Sequence, residues 1–273
     1  MKTLYITDLD GTLLTSDEKI SPYSADTING LIDKGMLFSF ATARPYVTAG
    51  RVTACLSRHF PVILYNGAFI LDNSSGRLIR ANFMPLEVSH NVLDILAGGD
   101  VYPIVYHYTD GRENISWVTD KACSEMQDFI DNRQGPVPRM PVGEKSGLYH
   151  RDIYYMSCID SAEKLYPLYL ALKDNPDINV IYQTDIYSGR QWLEIMSCTT
   201  SKANDVLQLK EQLGCDRVVC FGDGKNDLSM FSIADECYAV GNAVDELKAA
   251  ATGVIGPNNR DGVARWLAEN AVW

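Results

Sequence analysis

The sequence has no long apolar run, which removes one class of protein at the outset. No stretch approaches the roughly 18 consecutive apolar residues that indicate a membrane-spanning helix. The opening MKTLYITDLD places aspartates where a signal peptide needs its apolar region. We therefore expect a cytoplasmic protein with no membrane partner.

Basic residues are fewer than acidic residues in this chain. The chain has 24 Lys and Arg against 35 Asp and Glu, which gives a net charge of -11. Nucleic-acid binding usually draws on clustered Lys and Arg, so this charge argues against a nucleic-acid partner. A local basic pocket for one phosphate group is still compatible with it, and no obligate protein partner is inferred.

Cysteine is present but without a recognisable pattern. The seven cysteines include no CxxC pair, and an odd number cannot form a complete set of disulfides. We interpret them as reduced, mostly buried small side chains. The alternative is a nucleophilic cysteine with a histidine base, but only four histidines exist and none lies in a recognisable partner motif.

The chain does contain enough apolar residues for a large core. Its 273 residues are 46% hydrophobic, which is sufficient for two domains. Near the N-terminus, apolar runs at residues 3–7, 37–41 and 62–65 predict strands, and amphipathic stretches after Ser21 and Pro45 predict the helices between them. Repeated β-α-β units predict an α/β fold with a parallel sheet.

The middle of the chain interrupts this pattern. A predicted hairpin over residues 70–83 is followed by mixed strand-like and helix-like segments that suffice for a separate α+β module. Within it, residues 135–147 are rich in turn formers and predict a loop. We predict a core of residues 1–81 and 189–273 with an inserted domain at 82–188.

The α/β alternation resumes after the inserted domain. A helix is predicted at residues 202–213, a strand at 217–221, a further helix from Asn226 and a strand at 237–240. The core is therefore split in sequence. A domain inserted in this way can move as a lid over the edge of the sheet.

The first predicted strand ends in an acidic cluster, Asp8-Leu9-Asp10-Gly11-Thr12. Residues two apart on an extended segment face the same side, so the carboxylates of Asp8 and Asp10 are expected to converge. Two ionised carboxylates at close range require a cation or a shared proton. Magnesium prefers oxygen ligands and also binds phosphate oxygens, so Mg²⁺ is one cation that could offset the repulsion between these carboxylates.

A second acidic cluster follows the predicted strand at residues 217–221. Glycines flank Asp223, and Asn226-Asp227 begin the next predicted helix. Glycine lets the backbone approach an ion or phosphate closely, and a helix start offers free amides to an anion. Either acidic cluster alone is more typical of a turn or a helix cap, because Asp, Asn and Gly are ordinary turn residues.

Two further segments supply groups that suit a phosphate. Thr42-Ala43-Arg44 follows the second strand and offers a hydroxyl and a guanidinium as hydrogen-bond donors. Lys202 opens a later helix, where its charge could neutralise carboxylates and phosphate. Each signal is weak alone, and their combination carries the interpretation.

In combination, the motifs resemble the haloacid dehalogenase (HAD) superfamily, specifically its Cof-like phosphatases with a type IIB α/β cap. Four motifs occur in family order: DLDGT at residues 8–12, Thr42, Lys202, and GDGKND at residues 222–227. The segments 66–68 and 193–195 also resemble the family's flanks to the cap. The resemblance covers nearly the whole chain and implies a Rossmann-like parallel-sheet core with an inserted α+β cap domain.

The resemblance also implies roles for individual residues. Catalytic roles fall to Asp8 as nucleophile, to Asp10 as general acid and base, and to Thr42 and Lys202 as groups that position phosphate. The implied substrate-phosphate residues are Thr42, Arg44, Lys202 and Asn226, the implied Mg²⁺ ligands are Asp8, Asp10 and Asp223, and Asp227 supports them. The implied activity is hydrolysis of small phosphomonoesters, such as sugar phosphates or phosphorylated cofactors, through an aspartyl-phosphate intermediate.

Two departures from the family pattern and three alternatives remain. Ala43 and Ala203 stand where the family often has glycine. A sugar phosphomutase would return the phosphoryl group to another hydroxyl. A dehalogenase acting at carbon suits the acidic clusters less well. A non-catalytic phosphate-ligand sensor would retain the fold without turnover.

Overall fold

The chain folds into two compact units. The structure is a computed structural model that describes residues 1–132, 137–184 and 190–272. The first unit comprises residues 1–81 and 201–273, and the second comprises residues 82–200. The predicted boundary between residues 188 and 189 lies outside the described residues.

The secondary structure of the described residues alternates strands and helices. The strands are β1 (Thr3–Thr7), β2 (Leu37–Phe40), β3 (Pro61–Leu64), β4 (Phe69–Asp72), β5 (Leu78–Ala81), β6 (Ile104–Thr109), β7 (Arg112–Val118), β8 (Arg139–Val142), β9 (Ile153–Asp160), β10 (Ile178–Thr184), β11 (Gln191–Ser197), β12 (Arg217–Gly222), β13 (Glu236–Ala239) and β14 (Gly253–Val254). The helices are α1 (Pro22–Asp33), α2 (Tyr46–Val52), α3 (Leu86–Gly98), α4 (Ser124–Asn132), α5 (Ala162–Leu172), α6 (Lys202–Leu213), α7 (Leu228–Phe231), α8 (Asp245–Ala250) and α9 (Gly262–Asn270). None of the helices found in the described ranges has the length and apolar composition needed to span a membrane.

A parallel sheet forms the core of the first unit. Its strand order is β14-β13-β12-β1-β2, and β1 pairs in parallel with both β12 and β2. The side chains of β1 and β12 are almost fully buried, because helices cover parallel sheets on both faces. This arrangement confirms the predicted α/β fold and brings the carboxyl ends of β1, β2 and β12 to one edge.

The third predicted strand lies in a different sheet from the first two. β3 pairs antiparallel with β4, and β4 pairs antiparallel with β5. A single parallel bridge from Ala41 to Ile63 joins β3 to the end of β2. The predicted third strand is therefore present and parallel to β2 at this bridge, but its main hydrogen-bond partner is β4.

Two helices of the first unit begin at serine caps. The Ser21 hydroxyl accepts from the Ser24 amide at 3.0 Å at the start of α1, as the Ser-Pro pair predicted. The Ser201 hydroxyl accepts from the Asn204 amide at 3.0 Å at the start of α6. α6 ends at Gly214, which adopts the left-handed conformation.

The second unit is built on a six-stranded sheet in the order β10-β11-β9-β6-β7-β8. Its pairs are antiparallel except for β7 and β8. Side chains of α3 and α5, such as Leu93 and Leu165, share a buried apolar cluster with Met156 and Leu193 on the sheet. β11 pairs with β9, which is why the second unit extends beyond the predicted limit of the insertion.

Two local predictions in these units were wrong. The turn-rich segment 135–147 lies partly outside the described residues, and within it Arg139–Val142 forms β8, which pairs with β7. The helix predicted from Asn226 is a 3-10 turn, Lys225–Asp227, followed by the short α7. Tertiary pairing and loop hydrogen bonds overrode the local pattern in these two places.

Candidate active site

The carboxyl end of β1 presents Asp8 at the edge of the parallel sheet. The Asp8 amide donates to the Phe221 carbonyl at 2.9 Å, which extends the ladder between β1 and β12 by one residue. Asp8 is only 5% exposed. The Asp8 backbone is therefore anchored to β12, and the residue lies at the predicted edge of the sheet.

Lys202 is the counter-charge of Asp8. Its Nζ donates to Asp8 Oδ1 at 2.6 Å and to Asp227 Oδ1 at 2.8 Å, and the side chain is 1% exposed. Lys202 is the first residue of α6, so the capped start of that helix sets its position. A buried ammonium with two carboxylate acceptors satisfies the rule that buried charges are paired.

Opposing influences act on the pKa of each member of this ion pair. Burial has the largest effect on the pKa of Asp8 and raises it, the Lys202 charge lowers it, the nearby charge of Asp227 raises it, and the net pKa is raised. Burial lowers the pKa of Lys202, but the two carboxylates outweigh it and the net pKa is raised. We take Lys202 as charged and Asp8 as its ionised partner, because the ammonium has two acceptors within 2.8 Å.

Asp227 organises the loop that follows β12. Its Oδ2 accepts from the amides of Asp223 at 2.9 Å and Gly224 at 3.0 Å, and the residue is fully buried. A Cβ on Gly222 would lie 2.7 Å from the Asp227 side chain, so glycine is required for this approach. The predicted supporting role of Asp227 therefore has a definite form: it fixes the backbone beside Asp223.

Asp223 lies against the turn that follows β1. The Thr12 hydroxyl donates to Asp223 Oδ1 at 2.9 Å. Gly11 has a φ of 74°, and a Cβ there would lie 2.3 Å from Asp223 Oδ2. Burial raises the pKa of Asp223, the Thr12 hydrogen bond lowers it, and the charge of Asp227 adds to the rise. The two predicted acidic clusters therefore meet.

The chemistry of this donor set fits a hard divalent cation. Within the described part of the chain, carboxylate oxygens of Asp8, Asp223 and Asp227 lie within 4.8 Å of one another. Lys202 supplies one positive charge against these three carboxylates. Oxygen ligands and excess negative charge are what Mg²⁺ prefers, so Asp8 and Asp223 could hold that ion.

Among the described residues, Asp10 is not a member of this three-carboxylate group, although its charge contributes to the raised pKa of Asp223. β1 ends at Thr7, and the backbone stays extended at Asp8 and Asp10 before Gly11 turns the chain with a φ of 74°. The convergence of the Asp8 and Asp10 carboxylates stays a prediction. The Asp10 side chain is about half exposed and pairs with Arg44, and the third carboxylate of the cluster belongs to Asp227.

Arg44 binds two carboxylates of its own unit. Its Nε donates to Asp10 Oδ2 at 2.7 Å and a terminal nitrogen donates to Asp10 Oδ1 at 2.5 Å. The same terminal nitrogen lies 3.0 Å from Glu18 Oε2. The hydrogen bond to Asp10 is the main cause of a raised pKa for Arg44. The guanidinium predicted to bind phosphate is engaged by protein groups here.

Thr42 and Asn226 complete the predicted set. Thr42 is fully buried at the end of β2, and its hydroxyl accepts from the Arg44 amide at 3.1 Å. Asn226 is exposed within the 3-10 turn Lys225–Asp227. The structure thus brings Asp8, Lys202, Asp223 and Asp227 into direct contact or close approach. The predicted roles of Thr42, Arg44 and Asn226 at phosphate stay predictions.

Two residues of the site were missed at the sequence level. Thr12 belongs to the first motif, but its hydrogen bond to Asp223 depends on the two strand ends being adjacent in the fold. Glu18 gave no signal, because an acidic residue in a polar loop is ordinarily solvated. Its φ of 55° and its contact with Arg44 appear only in three dimensions.

Comparison with known proteins places this geometry in a family. Residues 5–267 match the family described as haloacid dehalogenase-like hydrolase, so the chain belongs to it. The recognised resemblance and the predicted enzyme class, a hydrolase of the HAD phosphatase type, are thereby confirmed.

Individual relatives and solved structures agree. A 5-amino-6-(5-phospho-D-ribitylamino)uracil phosphatase of Bacillus subtilis, YwtE, is 29% identical, with 98% of this chain and 97% of the relative covered. The pyridoxal phosphate phosphatase YbhA of Escherichia coli is 23% identical, with 97% of each chain covered. The crystal structure of a haloacid dehalogenase-like hydrolase from Bacteroides thetaiotaomicron superimposes with a TM-score of 0.78 at 25% identity, covering 98% of this chain and 99% of that one.

Proposed function

We propose that this protein hydrolyses small phosphomonoesters by transferring the phosphoryl group to Asp8 and then to water, with Mg²⁺ bound. The observation that carries the proposal is the arrangement of Asp8 and Asp227 around Lys202, with Asp223 alongside. A buried ionised carboxylate at a strand end is a suitable nucleophile, because the chemistry requires its charged form.

The first half of the reaction is attack on the ester. An Asp8 oxygen forms a bond to phosphorus as the bond between phosphorus and the leaving oxygen breaks. Asp10 gives a proton to that oxygen, so that the alcohol departs neutral. Lys202 keeps Asp8 ionised before attack and balances negative charge on the transferred oxygens, which is where most catalysis of phosphoryl transfer arises.

The second half regenerates the enzyme. Asp10, now ionised, takes a proton from water, and the resulting nucleophile breaks the bond between phosphorus and Asp8. Inorganic phosphate leaves and both aspartates return to their starting states. Thr42 is proposed to donate its hydroxyl to a phosphate oxygen, with Asn226 as a further donor, while Arg44 orients Asp10.

A bound magnesium ion would neutralise phosphate and carboxylate charge and act as a Lewis acid. We propose Asp8 and Asp223 as its carboxylate ligands, with Asp227 fixing the loop of Asp223. Asp10 as a further Mg²⁺ ligand stays a prediction, and its pairing with Arg44 favours the acid and base role.

The proposed substrate is a phosphorylated soluble metabolite. The relatives named above act on a phosphorylated ribitylaminouracil and on pyridoxal phosphate, both small phosphate esters. We further propose that the second unit, residues 82–200, selects the group esterified to phosphate. Exchanging it with that of a relative of different specificity should reorder the substrate ranking, and an unchanged ranking would refute this role.

The direct test is phosphate release over a wide panel of phosphate esters, with Mg²⁺ and with excess chelator. We expect release that requires the metal and that is lost in Asp8→Asn. Sugar-phosphate isomerisation without net phosphate release would instead identify a phosphomutase. Chloride release from a haloacid would identify a dehalogenase. Binding of a phosphate ester without turnover would identify a sensor.

A further inference from the structure

The turn that follows β3 has an unusual backbone. Tyr65, Asn66 and Gly67 have successive φ values of 50°, 54° and 102°. Two consecutive residues with a Cβ in the left-handed region are strained, and such strain persists only where the surroundings enforce it. Strain of this kind concentrates at functional sites, and this turn contacts two segments that carry residues of the candidate site.

One side of the turn is fixed to the segment that carries Thr42 and Arg44. The Asn66 amide donates to the Thr42 carbonyl at 2.9 Å, and the Tyr65 amide donates to the Arg44 carbonyl at 3.3 Å. The Thr42 amide in turn donates to the Ile63 carbonyl at 3.0 Å. The backbone around Thr42 is therefore held by β3 and by this turn together.

The other side of the turn is packed against the start of α6. A Cβ built on Gly67 would lie 2.4 Å from the carbonyl oxygen and 2.5 Å from the carbonyl carbon of Ser201. This is backbone against backbone, so no flexible side chain can yield. Ser201 caps α6, and the next residue is Lys202, which contacts Asp8.

We propose that the Tyr65–Gly67 turn is a spacer that sets the separation between Thr42 and Lys202, and that Gly67 is the positioning residue at its contact with α6. This inference rests on the proposed function, in which Thr42 and Lys202 hold phosphoryl oxygens. A methyl group at position 67 displaces the first turn of α6 by a fraction of an ångström or more. A misplacement of about 1 Å can cost about 100-fold in rate.

Gly67→Ala tests the spacer, and Gly214→Ala is its matched control. Both glycines have positive φ and adjoin the two ends of α6, but a Cβ on Gly214 has no neighbour within 4 Å. Both variants therefore strain the backbone, and only Gly67→Ala should displace Lys202. We expect kcat/KM to fall about 10- to 100-fold and the inhibition constant of inorganic phosphate to rise in Gly67→Ala. Gly214→Ala should lower the melting temperature while its kinetic constants stay within about twofold of wild type.

A second pair of variants covers the case in which Gly67→Ala does not fold. Asn66→Gly adopts the left-handed conformation without strain, whereas Asn66→Val disfavours it. If the backbone geometry of the turn positions Thr42 and Lys202, Asn66→Gly keeps kcat/KM within about threefold of wild type. Asn66→Val then lowers kcat/KM even when the same fraction of the protein is folded. Equal losses in both Asn66 variants would overturn the proposal, because the side chain would then be acting directly. Kinetic constants for Gly67→Ala that match those of Gly214→Ala would also overturn it. Phosphate release from esters by the wild-type protein tests the proposed function, independently of how the Gly67, Gly214 and Asn66 variants behave.

Discussion

Arg44 donates two hydrogen bonds to Asp10, from Nε to Oδ2 at 2.7 Å and from a terminal nitrogen to Oδ1 at 2.5 Å. The side chain of Arg44 is mostly buried, and Glu18 contacts it from a separate loop. A bidentate pair of this kind fixes orientation as well as charge. In the proposed mechanism Asp10 carries the proton, so Arg44 bears on catalysis through Asp10.

The first prediction is that Arg44→Lys lowers kcat more than it raises KM. Lysine cannot reproduce the two parallel hydrogen bonds, so Asp10 loses its fixed orientation. A charged hydrogen bond of about 1.5–3 kcal/mol corresponds to a loss of roughly 10- to 100-fold in kcat. Steady-state kinetics measures the split, with the exposed Arg58→Lys as control. A raised KM with unchanged kcat would instead indicate direct phosphate binding by Arg44.

The second prediction separates the two aspartates of the first motif. Asp8→Asn should abolish turnover, because the carboxamide of asparagine cannot form the acyl phosphate that the mechanism requires. Asp10→Asn should slow turnover by about 100- to 10,000-fold, the usual contribution of a general acid or base. Phosphate release by Asp8→Asn at the wild-type rate would refute the proposed mechanism. Circular dichroism of both variants checks that the fold is retained.

Much of the core could be predicted because its signals are local. Buried apolar runs gave β1, β2 and β12, and the Ser21-Pro22 pair gave the start of α1. The edge position of Asp8 and the approach of Asp223 then followed from parallel pairing. In such strands, burial on both faces makes the pattern continuous and easy to recognise.

The rest depended on contacts that sequence spacing does not encode. The Asp10 carboxylate pairs with Arg44, which is 34 positions away in the chain, and spacing along β1 does not encode that contact. β8 formed in a segment of turn residues because β7 offered a free edge. The contacts of Glu18 and Gly67 join residues far apart in the chain. No local rule predicts them.

The third prediction concerns stability. Lys202→Met should lower the free energy of unfolding by about 3–5 kcal/mol, because it leaves the buried carboxylates of Asp8 and Asp227 without their partner. Lys210→Met on the same helix removes only a surface pair with Asp235 and should cost about 0–1 kcal/mol. Urea unfolding in chelator measures both. Equal losses would contradict the pairing described for Lys202.

The fourth prediction tests the metal ligands without relying on activity. Magnesium that binds only the folded state raises the melting temperature in proportion to the logarithm of its concentration. We expect this rise in the wild type and in the exposed variant Asp26→Asn, and a much smaller rise in Asp223→Asn. An undiminished rise in Asp223→Asn would exclude that carboxylate as a ligand.

The last prediction concerns pH and a histidine pair in the second unit. His107 and His150 stack with ring centroids 3.5 Å apart, and a ring nitrogen of each lies about 3 Å from the Ser116 hydroxyl, at 3.0 Å and 3.1 Å. The other ring nitrogen of His107 lies 2.9 Å from the Thr109 hydroxyl. Burial, and then the charge of His150, lower the pKa of His107 to about 4.

A lowered histidine pKa in the folded state fixes the sign of the effect. Unfolded histidine titrates near pH 6.5, so below that value the unfolded chain takes up a proton that folded His107 resists. The free energy of unfolding should therefore fall as the pH drops from about 6.5 toward about 4. Ordinary carboxylates remain mostly ionised between about pH 6.5 and 5, but burial raises the pKa of Asp8 to about 7, so the histidine contribution is read from the difference between variant and wild type. His107→Gln should be less stable at neutral pH but show a shallower fall in the urea midpoint across the window. The exposed His59→Gln of the first unit should keep the wild-type slope, and an equally steep fall in His107→Gln would refute the assignment.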